Sequence, residues 1–226
     1  MALAFGHFTD GQFASGTLTF AHTATGDDIL FVFTYNFSGA YGITGVTYAG
    51  AAMTALATNV TSTHVANPLS VWYKLSPASG SNNVVISQSA SATILGEAIS
   101  YSGSSATQFG TTVLGVEVAS GSGSFNESIT TTGANSWVVM FLATGGGTPT
   151  NGSNTTVRGT MSGQTYFGIA DSGNLATAGA KTLNVGDAST EFIDCIMAEI
   201  LVAGGGGGGT NWGPSLLSQT WNRIVQ

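Results

Sequence analysis

Residues 28–37 read DILFVFTYNF. After Asp28 the run is β-branched, aromatic and apolar almost without a break, and turn residues bound it on both sides, which argues for a strand. Because apolar residues stand at both parities, the strand must be covered on both faces. SWVVMFLAT (136–144) has the same character. Other runs alternate: VTYAG (46–50) and ISYSG (99–103) exchange apolar and polar residues at every position, as half-buried antiparallel strands do. Between the runs, ATGDD (24–28), PASGSNN (77–83), TTGANS (131–136) and GGGTPTNGSN (145–154) use residues that accept positive φ or bond to their own backbone.

Strands are expected at 17–23, 28–37, 43–50, 52–58, 69–76, 83–89, 92–103, 124–132, 136–144, 155–161, 164–172, 180–186 and 191–203, and helical periodicity is almost absent before residue 210. The pattern predicts an all-β chain: a two-sheet antiparallel β-sandwich, jelly-roll-like, occupying residues 1–203 as one domain.

Composition bounds the function. The chain has 226 residues, 42 % apolar and only 7 % charged, against roughly 25 % charged in an average soluble protein. Ser, Thr, Asn and Gly fill the gap, which suits a secreted, cell-surface or virion protein. The net charge is −7, and the cations are Lys74, Arg158, Lys181 and Arg223. Without a cationic cluster, no nucleic-acid partner is expected. No apolar stretch is long enough to predict membrane insertion. MALAFGHFTDGQF (1–13) lacks the basic start and apolar run of a signal peptide. Cys195, alone in FIDCIMAEILVA (192–203), reads as a small buried hydrophobe.

GVTYAGAAMTAL (45–56), LSVWYKLSPASGSNNVVIS (69–87), GEAISYSG (96–103) and TTGANSWVV (131–139) occur in that order. Their combination resembles a β-sandwich module of phage virion proteins and secreted bacterial surface proteins, over roughly residues 17–203. The resemblance implies a jelly-roll-like sandwich with a structural or adhesive role, and it carries over no catalytic residue.

Candidate chemistry is sparse. His7, His22 and His64 lack the close spacing of a metal site. Asp27 and Asp28 open a strand at a sandwich corner, where adjacent carboxylates suit calcium or a solvated turn; the turn is favoured, and neither metal nor cofactor is expected. Glu97 shares parity with Leu95, Ile99 and Tyr101, so it points toward an apolar face and must be paired or protonated, with Lys74 the conceivable partner. Asp194 and Glu199, five apart, fall on opposite faces of a strand, which disfavours a hydrolytic carboxylate pair. No nucleophile elbow or phosphate loop is present. Five N-x-[ST] sequons, at Asn36, Asn59, Asn126, Asn151 and Asn154, are what so Asn- and Ser/Thr-rich a chain gives by chance. Phe31, Phe33, Tyr35, Trp72 and Trp137 read as core, whereas Tyr41, Phe109 and Phe125 read as loop aromatics placed to stack on a glycan or to plug the sandwich ends.

The end of the chain differs. Residues 204–210 form a glycine-rich linker holding six glycines, with a root-mean-square span of about 13 Å. Residues 211–226 follow as an anchoring segment. On a helix begun by Pro214, Leu216, Leu217, Trp221 and Ile224 make one apolar stripe, and Trp212 and Trp221 are anchor-type residues. This short helix or arm either folds back on its own sandwich or docks on another subunit, the second being favoured. The expectation is a non-enzymatic phage virion protein: a head-decoration, capsid-associated or tail or fibre component, with other virion proteins or identical subunits as partners. The alternative is a carbohydrate-binding adhesin or receptor-binding module of a phage or bacterial surface, secreted or displayed, contacting a host-surface glycan.

Overall fold

The computed structural model describes residues 2–37, 42–60, 68–105, 109–119, 124–144, 147–161, 167–187 and 192–203. Every element within them is a strand. The first nine are β1 (Ala4–Ser15), β2 (Leu18–Ala24), β3 (Ile29–Asn36), β4 (Ile43–Tyr48), β5 (Ala51–Ala52), β6 (Thr54–Val60), β7 (Leu69–Leu75), β8 (Gly80–Gln88) and β9 (Thr93–Ser102). The remaining eight are β10 (Thr112–Ala119), β11 (Ser124–Thr131), β12 (Trp137–Thr144), β13 (Pro149–Asn151), β14 (Thr156–Thr160), β15 (Phe167–Asp171), β16 (Gly179–Asp187) and β17 (Phe192–Ile200). All their pairings are antiparallel.

The expected sandwich is present, and it is present twice. The N-terminal half pairs a five-stranded sheet, β1-β9-β3-β7-β6, with a four-stranded one, β2-β8-β4-β5. The C-terminal half pairs β10-β17-β12-β15-β14 with β11-β16-β13. Substituting β10, β17, β12, β15 and β14 for β1, β9, β3, β7 and β6 turns the first large sheet into the second. The same correspondence turns β2-β8-β4 into β11-β16-β13. The chain is therefore a doubled fold, with the two large sheets facing each other and a smaller sheet outside each.

Three apolar layers hold this stack. On β3, Phe31, Phe33 and Tyr35 point into the layer between the two large sheets, while Leu30 and Val32 point into the layer under the four-stranded sheet. On β12, Val139, Phe141 and Ala143 face the central layer, and Val138, Met140 and Leu142 face the outer layer of the C-terminal half. That is why both runs are apolar at every parity. Phe141 meets Phe31 and Phe33 across the central layer at ring separations of 5.5 and 5.9 Å. Each such ring, fully buried, contributes about 1.5–3 kcal/mol.

Two long strands, β1 and β10, lie outside the thirteen expected from the sequence. They are counterparts at one edge of each large sheet. Both carry register shifts, between Phe5 and Phe8 and between Asp10 and Phe13 in β1, and between Val113 and Val116 in β10. A bulge inserts a residue and flips the alternation, so the period-2 signal is lost. Residues 204–226, with the linker and the expected anchor at Trp212, Pro214, Leu216, Leu217, Trp221 and Ile224, lie outside the described residues.

Candidate functional site

The registers match the halves residue by residue. Leu30 and Val138, each second in its central strand, stand opposite Ser100 on β9 and Glu199 on β17. Phe5-Gly6-His7 in β1 corresponds to Phe109-Gly110-Thr111 just before β10. At these two places the polar chemistry of the interior concentrates.

In the N-terminal half the hub is Ser100, which has no exposed surface. Its Oγ donates to Asp27 Oδ2 at 2.8 Å and accepts from the His7 backbone N–H at 3.3 Å. His22 Nε2 lies 3.1 Å from the same Oγ, and Nδ1 lies 2.9 Å from Thr9 Oγ1. Because the single Ser100 proton goes to Asp27, Nε2 carries the imidazole proton and Nδ1 accepts from Thr9. Burial is the largest cause holding His22 down at about 4, with Asp27 raising it and His7 lowering it again. Serine, histidine and aspartate therefore meet in the wrong order for hydrolysis. In a catalytic triad the imidazole sits between hydroxyl and carboxylate and takes the hydroxyl proton; here the hydroxyl sits in the middle.

In the C-terminal half Glu199, also fully buried, does the whole task alone. Its carboxylate accepts from the backbone N–H groups of Thr111, Thr132 and Gly133 at 2.9 Å, and from Thr132 Oγ1 at 3.0 Å. A Cβ at Gly6 would collide with the Asp27 carboxylate, and one at Gly110 with that of Glu199. The FG pair precedes both hubs because the chain must pass this close.

A third cluster bridges the halves. Arg158 on β14 grips Asp171 on β15 through Nε at 2.6 Å and a second nitrogen at 2.9 Å. Tyr101 from β9 donates its phenol to the same carboxylate at 3.0 Å. The guanidinium lies over Phe5 at 4.9 Å and Trp137 at 5.7 Å. The hydrogen bond to Asp171 is the largest cause raising the Arg158 pKa, and burial is the largest cause raising that of Tyr101.

Glu97 sits where the other half has Ile196, opposite Phe33 just as Ile196 is opposite Phe141. Neither carboxyl oxygen has a hydrogen-bond partner among the described residues. Burial, and then Asp10 across the β1–β9 pair, push the group well above its ordinary value of 4.5, so it stays protonated in the fold. Lys74, the expected partner, instead reaches the Ala52 carbonyl at 3.3 Å. Cys195 is buried in the outer layer of the C-terminal half, its thiol pushed up chiefly by burial.

The remaining sequence candidates are placed as follows. Phe125 is not in a loop: it lies on β11 with 0 % exposure, inside the outer layer of the C-terminal half, and cannot stack on a glycan. Phe109 is half-buried against the central layer, packed edge-on to Tyr73 at 4.4 Å and against Phe31 at 5.7 Å, so it plugs the sandwich end. Tyr41 and His64 lie outside the described residues. Asp27 accepts from Ser100 and from the Thr25 N–H, and Asp28 from the Gly103 N–H, so the two carboxylates serve different partners. Among the described residues no three His, Cys, Asp or Glu side chains gather to hold a metal.

The sequence reading missed the three polar clusters, and it also missed a cleft. Between the hairpin tip Asn151–Thr156, the segment Ser172–Leu175 and the start of β16 at Ala180–Leu183 lies a cleft of about 740 Å³. Asn, Ser and Thr supply most of its lining, with Gly152, Leu175, Ala180, Lys181 and Leu183 as the rest. The density of Asn, Ser and Thr in TNGSNTT (150–156) was the available signal, and it reads equally as a turn. Comparison of the chain with known proteins gives no matching family model, no matching curated protein and no matching solved structure.

Proposed function

We propose that this chain is a non-enzymatic structural protein of a bacteriophage particle, a head-decoration, capsid-associated or tail or fibre component. It assembles through subunit contacts and through its C-terminal arm. The observation that carries this reading is the use of the buried polar groups. Glu199 and Ser100 bind backbone amides at strand ends, and Arg158, Asp171 and Tyr101 tie one half to the other. Each serves as a fastener in a stack of sheets, the economy expected of a shell or fibre component. The low charge and the glycine-tethered tryptophans of residues 204–226 support the same role.

The test compares the full chain with a truncation ending at Ala203, by mass in solution and by incorporation into particles. Assembly of the full chain and a stable monomeric truncation support the reading. Equal monomers, with particle incorporation unchanged, overturn the arm's part in it. The cleft favours a second reading, a carbohydrate-binding adhesin or receptor-binding module displayed on a phage or bacterial surface.

A further inference from the structure

We infer that the cleft between the β13–β14 hairpin tip and the start of β16 is a binding site for a neutral oligosaccharide. This rests on the adhesin reading and gives it a location; it is independent of how the chain assembles.

The doubled fold supplies an internal reference. In the N-terminal half the corresponding space is filled by Tyr48, which has 0 % exposure. Its hydroxyl lies 3.1 Å from the Ala78 carbonyl oxygen and 3.3 Å from those of His22 and Gly80. Asn82 closes the far side, its amide 3.4 Å from the phenol. Tyr48 pairs with Ala51 across the two-residue turn Ala49–Gly50. In the C-terminal half Gly152 bridges Thr155 across the two-residue turn Ser153–Asn154. By the β16 register the counterpart of Tyr48 is Ser153, since Asn151 faces Val185 as Val46 faces Ile86. A short, exposed hydroxyl side chain therefore stands where the first half has its plug. The half that lacks the ring has the cleft.

The lining selects the ligand. Ser153, Asn154, Asn174 and Thr182 present hydroxyls and planar amides around the opening, with Leu175 on its apolar side. The charged member of the wall is Lys181, whose ammonium is engaged by Thr177 Oγ1 at 3.1 Å. Paired donors and acceptors match vicinal hydroxyls, and Lys181 is the one cation among the residues lining the cleft. A phosphate or carboxylate site gathers several charged or bidentate donors, and an acyl chain needs apolar walls. The volume of about 740 Å³ falls within the ~300–1,000 Å³ of ligand pockets.

The experiment titrates the full chain with maltotriose, cellotriose and tri-N-acetylchitotriose while recording amide ¹H–¹⁵N shifts. N-acetyltyrosinamide is run in parallel as a probe for a partner's phenol ring. The expected result is saturable binding of at least one trisaccharide, with shifts concentrated in residues 151–156, 172–175 and 180–183. Asn174→Ala and Ser153→Trp, both at exposed positions, should each weaken that binding at least tenfold with an unchanged melting midpoint. Absence of trisaccharide binding, shifts centred elsewhere, binding indifferent to both variants, or response to N-acetyltyrosinamide alone overturns the inference. The truncation experiment reads the arm and is unaffected by any of these outcomes.

Discussion

The two halves share a backbone plan and differ in the chemistry placed on it. At one hub Ser100 and Asp27 divide between them what Glu199 does alone at the other. The backbone sets the requirement, since a bulged first strand passes close to β9 or β17 and leaves an N–H that needs an acceptor, from His7 in one half and Thr111 in the other. Which residue supplies the acceptor is free.

The two seams flanking the central layer differ in the same way. Edge strands β6 and β14 share a bulge, at Leu56 in the first and Arg158 in the second, and β6 shifts again between Ala57 and Val60. Opposite Phe31 and Val139, the neighbouring strands place Tyr73 and Asp171. Opposite Ile29 and Trp137 stand Tyr101 and Ile200. One seam is thus Phe5, Tyr101, Trp137, Arg158 and Asp171, a fixed ion pair roofed by aromatics. The other is Phe109, Ile200, Ile29, Leu56 and Tyr73, an apolar contact. A duplicated sheet pair that packs on itself needs both seams closed, and it closes them by unrelated means.

The largest effect is expected at the polar seam. Asp171→Ala leaves Arg158 and Tyr101 unpaired and should cost about 3–5 kcal/mol in urea denaturation. Leu56→Ala in the apolar seam, where the side chain is half-buried, should cost on the order of 1–2 kcal/mol. Equal losses would show that the ion pair does not distinguish the seams.

Acid should act on one half. The unfolded chain binds a proton at His22 below pH 6.5, and the folded chain refuses it until about pH 4. Stability is complete above that window and falls within it, by about 3 kcal/mol between pH 7 and pH 4. Ile129 holds the matching place in the C-terminal half, two positions along from Thr131 as His22 is from Ala24. His22→Gln should flatten the dependence, read as denaturation midpoints at pH 7 and pH 4.5.

Glu199→Gln keeps the shape of the second hub and removes its charge. A loss of about 2 kcal/mol is expected from weakened bonds to Thr111, Thr132 and Gly133, with faster amide exchange at those three residues as the local readout. The smallest change should be a gain. Below 4.5 Glu97 is neutral whether the chain is folded or not; above it the unfolded chain ionises first, so stability drains as pH rises. Glu97→Gln should raise the melting midpoint by a few °C at pH 8 and leave it unchanged at pH 4.

Much of this architecture was legible in the sequence, because buried strands leave a composition signal. DILFVFTYNF and SWVVMFLAT are apolar at both parities, and both became central strands covered on two faces. The doubling was not read, although FG recurs at 5–6 and 109–110, ASG at 14–16 and 119–121, and TG before each central strand, at 25–26 and 132–133. Bulges disguise the first strand of each repeat, and loops of unequal length break the spacing between the shared pieces. Glu97 pointed toward the core as its parity required, but its partner did not follow, since Lys74 and Glu97 lie on strands separated by β3. The sequence predicts the strand at 124–132, yet Phe125, second in it, was set among the loop aromatics; its inward positions, Phe125 and Ile129, alternate with an exposed face.

The doubled fold with a shared central layer makes one direct demand. Phe31 and Phe33 from one half and Phe141 from the other occupy the same core, so neither sandwich can open alone. Native-state amide hydrogen exchange under rising denaturant measures this. The expected result is that the slowest amides of β3 and β12 open with the same free energy and the same denaturant dependence. A C-terminal half that opens at a distinctly lower free energy while β3 stays protected would contradict a shared core.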